Sequence, residues 1–209
     1  MDTEAFKDRA RLRSLSDEEL MLEVQRGSNT SFDILVDRFK VRLVNYLFRL
    51  TGNRDDAEEI AQEAFVKAFI HAGKYKTIAK FSTWLYTIAT NLVRNRIRSK
   101  KRAPQFLRLW DWGRDGSSES KPIDLIDPSK SPDESMNDME LNGLINDAIQ
   151  KIPKKYRTSF VLREINQLSY EEIAAVTGLK LGTVRSRINR ARNYFRKILE
   201  PILEQGIDF

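Results

Sequence analysis

Cysteine is absent from the 209 residues, and histidine occurs once, at His71. The first absence removes disulfides, thiolate catalysis and every cysteine-based zinc or iron-sulfur centre. The second leaves no multi-histidine metal site. Carboxylates alone can hold magnesium, but the clustered ones here follow helical surface patterns with no phosphate-cradling glycine loop beside them. Long apolar runs are missing too: none approaches the roughly 20 residues that cross a bilayer. Met1 to Arg13 mix acids and bases, so neither a signal peptide nor a membrane anchor is expected. The composition thus predicts a cytoplasmic chain that inserts in no membrane, is not an enzyme, and uses no metal or cofactor. At 41% hydrophobic and 32% charged residues, a chain of this length makes one ordinary domain or two small ones.

Acids are in the minority, 30 against 36 bases, and the resulting +6 suits a polyanionic partner. Distribution says more than the total. Arg94, Arg96, Arg98, Lys100, Lys101 and Arg102 place six positive charges in nine residues with no acid among them. A second stretch, with Lys180, Arg185, Arg187, Arg190, Arg192, Arg196 and Lys197, is equally free of carboxylates. A charge run is normally a solvated face, but solvated helices intersperse opposite signs at i,i+4 spacing, and these do not. Nucleic-acid contact is the better reading. Between the two runs the sign reverses: Asp111 to Glu140 carries nine acids against three bases, a net charge of −6. The same stretch holds Gly113, Gly116, Pro122, Pro128 and Pro132 among serines, and reads as an irregular acidic linker over residues 103–138.

On both sides of that linker the periodicity is helical, and nothing reads as a strand. Ser16 and Glu19 fit a capping box, and Gly27 ends the short helix they begin. Phe32, Leu35, Val36, Phe39, Leu43, Leu47 and Leu50 recur at three- and four-residue steps up to Gly52. A third helix is expected from about Asp55 to Ala72 and a fourth from about Ser82 to Lys101. Downstream, helices are expected over Met139 to Lys151 and Lys154 to Glu164, followed by two short ones. The fold class predicted is all-α: two small helical domains, residues 1–102 and 139–209, joined by the linker.

The last two helices carry spacings that a helix-turn-helix needs. Ser169 and Glu172 repeat the capping box, Ala174 and Gly178 lie four apart, and Val184 follows six later. Leu181, Val184, Ile188, Ala191 and Phe195 share one face and belong in a core. Arg185, Ser186, Asn189 and Arg190 then point outward, offering guanidinium forks for guanine or phosphate and an amide for adenine. Arg187 and Arg192 lie on the flank, and Thr183 completes the candidate set for duplex DNA. The bland alternative is a set of arginines that merely solubilise a terminal helix.

Three segments together resemble the extracytoplasmic-function RNA polymerase sigma factors of the sigma-70 family: DAEEIAQEAFVKAF (Asp56 to Phe69), FSTWLYTIATN (Phe81 to Asn91) and LSYEEIAAVTGLKLGTVRSRINRAR (Leu168 to Arg192). The resemblance implies a sigma-2 domain, a linker threading the RNA-exit channel, and a sigma-4 domain that reads the minus-thirty-five element. It implies that the acidic helix grips the beta-prime clamp helices of core RNA polymerase through Asp56, Glu59, Gln62 and Glu63, with Phe65 and Phe69 as apolar anchors, and that the polymerase beta flap is a further contact. Plain stabilisation of a helix N-terminus accounts for Asp55 to Glu59 but not for Gln62 and Glu63 a turn later.

The resemblance also implies minus-ten recognition and promoter melting by Lys74, Tyr75, Lys76, Lys80, Ser82, Asn91, Arg94, Arg96 and Arg98. Tyr75 is the better candidate for stacking on a base, and Trp84 is assigned to packing. An anti-sigma factor is implied as well. The sequence departs from the family at Asn95, where an aspartate is common, so a salt bridge from that position is not expected. Trp110 and Trp112 match nothing, and His71 reads as a surface residue. Two rival functions remain: an autonomous helix-turn-helix repressor or activator, disfavoured by the acidic helix and FSTWLY, and a nucleic-acid-processing enzyme, which lacks a catalytic constellation.

Overall fold

The capping box at Ser16 forms. The Ser16 hydroxyl accepts from the Glu19 amide at 3.2 Å, while the Glu19 carboxylate accepts from the Ser16 amide at 2.8 Å. This fixes the head of α1 (Asp17–Gln25). The structure is a computed structural model that describes residues 9–102 and 132–204. Among the described residues every regular element is helical.

α2 (Asn29–Thr51) buries the apolar stripe expected of it, with Leu35, Leu43 and Leu47 wholly enclosed. It stops at Gly52, whose φ of 75° is left-handed and suits glycine. α3 (Arg54–Ile70) packs on α2 through Ala57, Ala61, Ala64 and Ala68. Side chains this small let the two helix axes approach closely. α4 (Phe81–Arg102) buries Phe81, Leu85, Ala89 and Val93, one residue per turn. The Tyr46 and Thr90 hydroxyls bond each other at 2.7 Å and tie α2 to α4, so neither polar group is buried unpaired.

The second half comprises α5 (Pro132–Lys151), α6 (Lys154–Glu164), α7 (Tyr170–Thr177) and α8 (Leu181–Glu204). A second capping box, Ser169 with Glu172, starts α7, and Gly178 with φ 67° ends it. Val184, Ile188 and Ala191 of α8 are buried, and Phe195 packs against Phe160 with ring centroids 5.0 Å apart.

Two expectations need correction. α5 starts at Pro132, seven residues before the expected Met139, inside the stretch read as linker. Proline lacks an N–H that the first helical position leaves unbonded anyway, so Pro132 opens the helix instead of blocking it. α8 is not short: it spans 24 residues, with Pro201 near its end. Its apolar periodicity continues past Phe195 to the half-buried Ile198 and Leu199, which keeps the helix worth extending. Most of the linker, including Trp110 and Trp112, lies outside the described residues.

The halves are not separate. α7 packs along α4, and α5 and α6 pack on α2. Arg157, only 5% exposed, donates from α6 to the carbonyls of Ile152 and Leu50, to Gln150 Oε1 at 2.6 Å, and to the Gln150 carbonyl. Gln150 Nε2 donates to the Phe48 and Arg49 carbonyls at 3.1 and 2.9 Å. A Cβ added at Gly52 would meet Gln150 Oε1 at 3.1 Å, so glycine there also permits the close approach.

Candidate nucleic-acid and protein interfaces

α3 is capped by Asn53, whose Oδ1 accepts from the Asp56 amide at 2.8 Å. With its alanine face inward, Asp55, Glu59, Gln62, Glu63, Val66, Phe69 and Ile70 are left exposed, so an acidic stripe runs into an apolar end. Of the residues expected to grip polymerase, Glu59, Gln62, Glu63 and Phe69 lie on this stripe, and Asp56 is half-buried beside it. Phe65 does not join them. It is 8% exposed and packs edge-on against Phe32, so it serves the domain core and is not an exposed anchor. Phe69 also touches Phe32, with centroids 5.0 Å apart, yet remains 45% exposed.

Arg96, expected to meet DNA, is turned toward this acidic stripe. Its Nη2 lies 2.8 Å from Asp56 Oδ1 and 2.6 Å from Glu59 Oε2. The hydrogen bond to Glu59, followed by the nearby Asp56 charge, holds the Arg96 guanidinium above its ordinary pKa. A cleft of about 550 Å³ separates α3 from α4, with Glu63 and His71 on one side and Asn91, Asn95 and Arg96 on the other. His71 is exposed at the end of α3.

The segment before α4 is pinned from below. Gln25 Nε2 donates to the carbonyls of Ala72 and Tyr75 at 2.9 and 3.0 Å, and the Phe81 amide donates to Glu18 Oε1 at 3.0 Å. Lys74, Lys76, Ile78 and Lys80 are therefore displayed on a fixed loop, with Ser82 half-buried at its end. Tyr75 is 5% exposed, donates its hydroxyl to the Ala79 carbonyl, and packs against Phe81 and Trp84. Its burial removes it as a stacking platform in this conformation. Trp84 packs as expected, half-buried.

Asn91 and Arg98 are exposed on α4. Arg94 and Lys80 are engaged by the helix-turn-helix: Arg94 Nη2 donates to the Thr177 carbonyl at 2.6 Å, and Lys80 Nζ pairs with Glu172 Oε1 at 3.0 Å. Tyr86, 3% exposed, accepts from Asn166 Nδ2 at 2.8 Å.

On α8 the outward face is the expected one. Arg185, Ser186, Asn189, Arg190 and Arg192 are exposed, while Thr183 and Arg187 are half-buried. Ser186 donates to the Thr183 carbonyl, Arg185 lies over the Tyr170 ring at 5.9 Å, and Arg190 bonds the Tyr156 hydroxyl at 3.3 Å. Arg192 pairs with Glu164 at 2.8 Å. Sequence reasoning missed Arg157, Gln150 and Asn166. The one hint was a charged residue at a core-facing position, between Tyr156 and Phe160.

Among the described residues, no group of acids and histidine is placed to hold a metal ion, and no helix is long and apolar enough to cross a membrane. Residues 35–103 match the family profile for sigma-70 region 2, and residues 143–194 match that for sigma-70 region 4. The chain is 37% identical to the ECF RNA polymerase sigma factor SigW of Bacillus subtilis over 86% of its own length and 95% of that protein's. It is 34% identical to the RNA polymerase sigma-H factor of Pseudomonas aeruginosa over 91% and 97%. The fold matches that of the Bartonella quintana sigma factor RpoE, solved with the anti-sigma factor NepR, at a TM-score of 0.57, 22% identity, and coverage of 81% and 96%. Two matched sigma regions in the order their helices were read, together with full-length relatives above 30% identity, make this chain a member of the extracytoplasmic-function sigma factors of the sigma-70 family.

Proposed function

We propose that this sigma factor divides its work between one acidic and two basic surfaces. The observation that carries the reading is a contrast of charge on exposed helix faces. α3 shows Asp55, Glu59 and Glu63, whereas α8 shows Arg185, Arg190, Arg192, Arg196 and Lys197, with no acid anywhere from Leu181 to Leu199. Like polarity on both faces would suit one polyanion. Opposite polarity suits a protein partner on one side and DNA on the other.

In this reading the α3 stripe docks on the beta-prime clamp helices of core RNA polymerase through Glu59, Gln62, Glu63 and Phe69. The half that begins with α5 meets the beta flap, and residues 103–131 thread the RNA-exit channel. Lys74, Lys76, Ser82, Asn91 and Arg98 face the minus-ten element. Capture of an unstacked base there offsets the few kcal/mol, roughly, that unstacking costs, so melting is physical and requires no catalytic group, metal or cofactor. Arg185, Ser186, Asn189 and Arg190 read the minus-thirty-five duplex from the major groove. Lys80 and Arg94 join only once α7 leaves α4, so promoter engagement requires the two halves to part. The protein works in the cytoplasm and is held in check by an anti-sigma factor, as the Bartonella relative's complex suggests.

The test is association of the purified chain with core polymerase lacking any other specificity subunit, followed by run-off transcription from genomic fragments. The expected result is a stable complex that initiates at a small set of promoters. No association would overturn the reading. A footprint by the protein alone, as strong as with polymerase, would favour an autonomous helix-turn-helix regulator.

A further inference from the structure

The packing of the two halves encloses a cavity of about 190 Å³ that neither half forms alone. Arg94 enters it from α4, Lys154 and Lys155 from the start of α6, and Arg187 from α8; no carboxylate lines it. Four cations around one small space repel each other, and nothing in the wall neutralises them. Neither Lys154 nor Arg187 has an ion pair among the described residues. Arg94 spends one N–H on the Thr177 carbonyl, and Lys155 lies over the Tyr156 ring at 4.8 Å.

Two further features of the cavity wall suit an anion. α6 begins at Lys154 with no side chain capping its N-terminus, where the helix dipole is positive. Ser159, one turn on and 1% exposed, forms part of the same wall, and its Oγ is buried with no hydrogen-bond partner. Such a hydroxyl is ordinarily satisfied, and the cavity that Ser159 lines has room for the missing acceptor.

We propose that this cavity binds a small phosphate-bearing anion, orthophosphate or a diphosphate group, held by Arg94, Lys154, Lys155 and Arg187 with the Ser159 hydroxyl donating to it, and that the bound anion fastens the two halves together. Guanidinium and ammonium groups beside a hydroxyl form the donor set phosphate oxygens accept from. The volume falls below the roughly 300 Å³ at which pockets begin to bury drug-sized ligands, which argues for the anion itself and against a whole nucleotide. Because the cavity exists only while the halves are packed, the anion binds that arrangement and shifts the population toward it. Arg94 and Arg187 then face inward, and promoter DNA competes with the anion for them.

Calorimetric titration of the full chain at constant ionic strength, with orthophosphate, pyrophosphate and ATP in separate arms, tests the proposal. Saturable one-to-one binding of pyrophosphate or orthophosphate is expected, weakened about tenfold or more in a Lys154→Gln, Lys155→Gln double variant and about tenfold in Ser159→Ala, as loss of a charge-assisted hydrogen bond implies. An Arg196→Gln, Lys197→Gln variant, which removes the same charge from an exposed stretch, should bind as the parent does. Since the chain has no cysteine, Lys40→Cys with Asn193→Cys gives two clean dye positions, and energy transfer between them should rise as the anion saturates. Non-saturating heats, or equal weakening by the Arg196 and Lys197 control, would reduce the effect to general charge and overturn the site. Tighter binding of ATP than of pyrophosphate would reject a compact anion. Binding without any change in energy transfer would reject the fastening.

Discussion

The Arg94 guanidinium donates to the Thr177 carbonyl at 2.6 Å, across 83 residues of sequence. An arginine expected to meet melted DNA thus ends on the last residue of the first helix of the helix-turn-helix, and each half covers part of the other's working surface. Lys80, just before the start of α4, holds Glu172 from an exposed position, where an ion pair contributes little. The packing instead rests on buried groups, and these make the first prediction.

Arg157→Ala should destabilise the chain by about 2–3 kcal/mol, because burying the guanidinium is tolerable only while its carbonyl partners accept from it, and the carbonyls lose their donor with it. Urea denaturation followed by circular dichroism measures this. Arg157→Lys should recover little, since a compact ammonium cannot span partners on α2 and α5 that the planar fork reaches together. Full recovery by lysine would mean that the position needs only charge.

Alkali should loosen the first half. Burial raises Tyr86 and Tyr75 to about 12, and drives Tyr46 further in the same direction. A raised folded pKa favours the neutral phenol, so the stability these groups contribute is full below pH 10 and is lost as pH climbs through about 12. Absorbance at 295 nm should show these phenolates appearing together with loss of helix, and Tyr86→Phe should flatten that limb. Ionisation of every tyrosine near pH 10 with the helices intact would contradict the burial.

On the DNA side, Arg185→Ala should weaken minus-thirty-five binding by roughly 1–3 kcal/mol and relax preference at one base pair. Binding to a panel of single-base promoter variants checks it. Uniform weakening across the panel would assign Arg185 to a phosphate.

On the polymerase side, Glu59→Lys with Glu63→Lys should abolish core binding in a pull-down while circular dichroism stays unchanged. Glu59 also holds Arg96, so Glu63→Lys alone, which spares that pair, should still cost most of the affinity. Unchanged binding by both would remove α3 from the interface.

Much of this was legible in the residues themselves, because it is local. Ser16 with Glu19, Ser169 with Glu172, and Gly178 before Val184 act within a few positions, and each took the geometry its spacing demanded. The outward face of α8 followed from the inward one. What escaped was long-range or ambiguous. Arg157 bonds a carbonyl 107 residues away, which no periodicity reports. Pro132 reads equally as a breaker or as a first helical residue, and only its surroundings decide. Tyr75 and Trp84 share a cluster, and which ring sinks deeper depends on Gln25 holding the loop from another helix.

Gln150 gives the contacts around Arg157 a further meaning. By donating to Phe48 and Arg49, it occupies carbonyls at the trailing end of α2, a helix with which it shares no sequence neighbourhood. A side chain from one lobe thereby finishes a rod belonging to the other. When the lobes swing apart, those oxygens return to water and the final turn of that rod is free to fray, so amide exchange near residues 48–51 would quicken in step with hinge motion, an internal gauge of how often the molecule stands open.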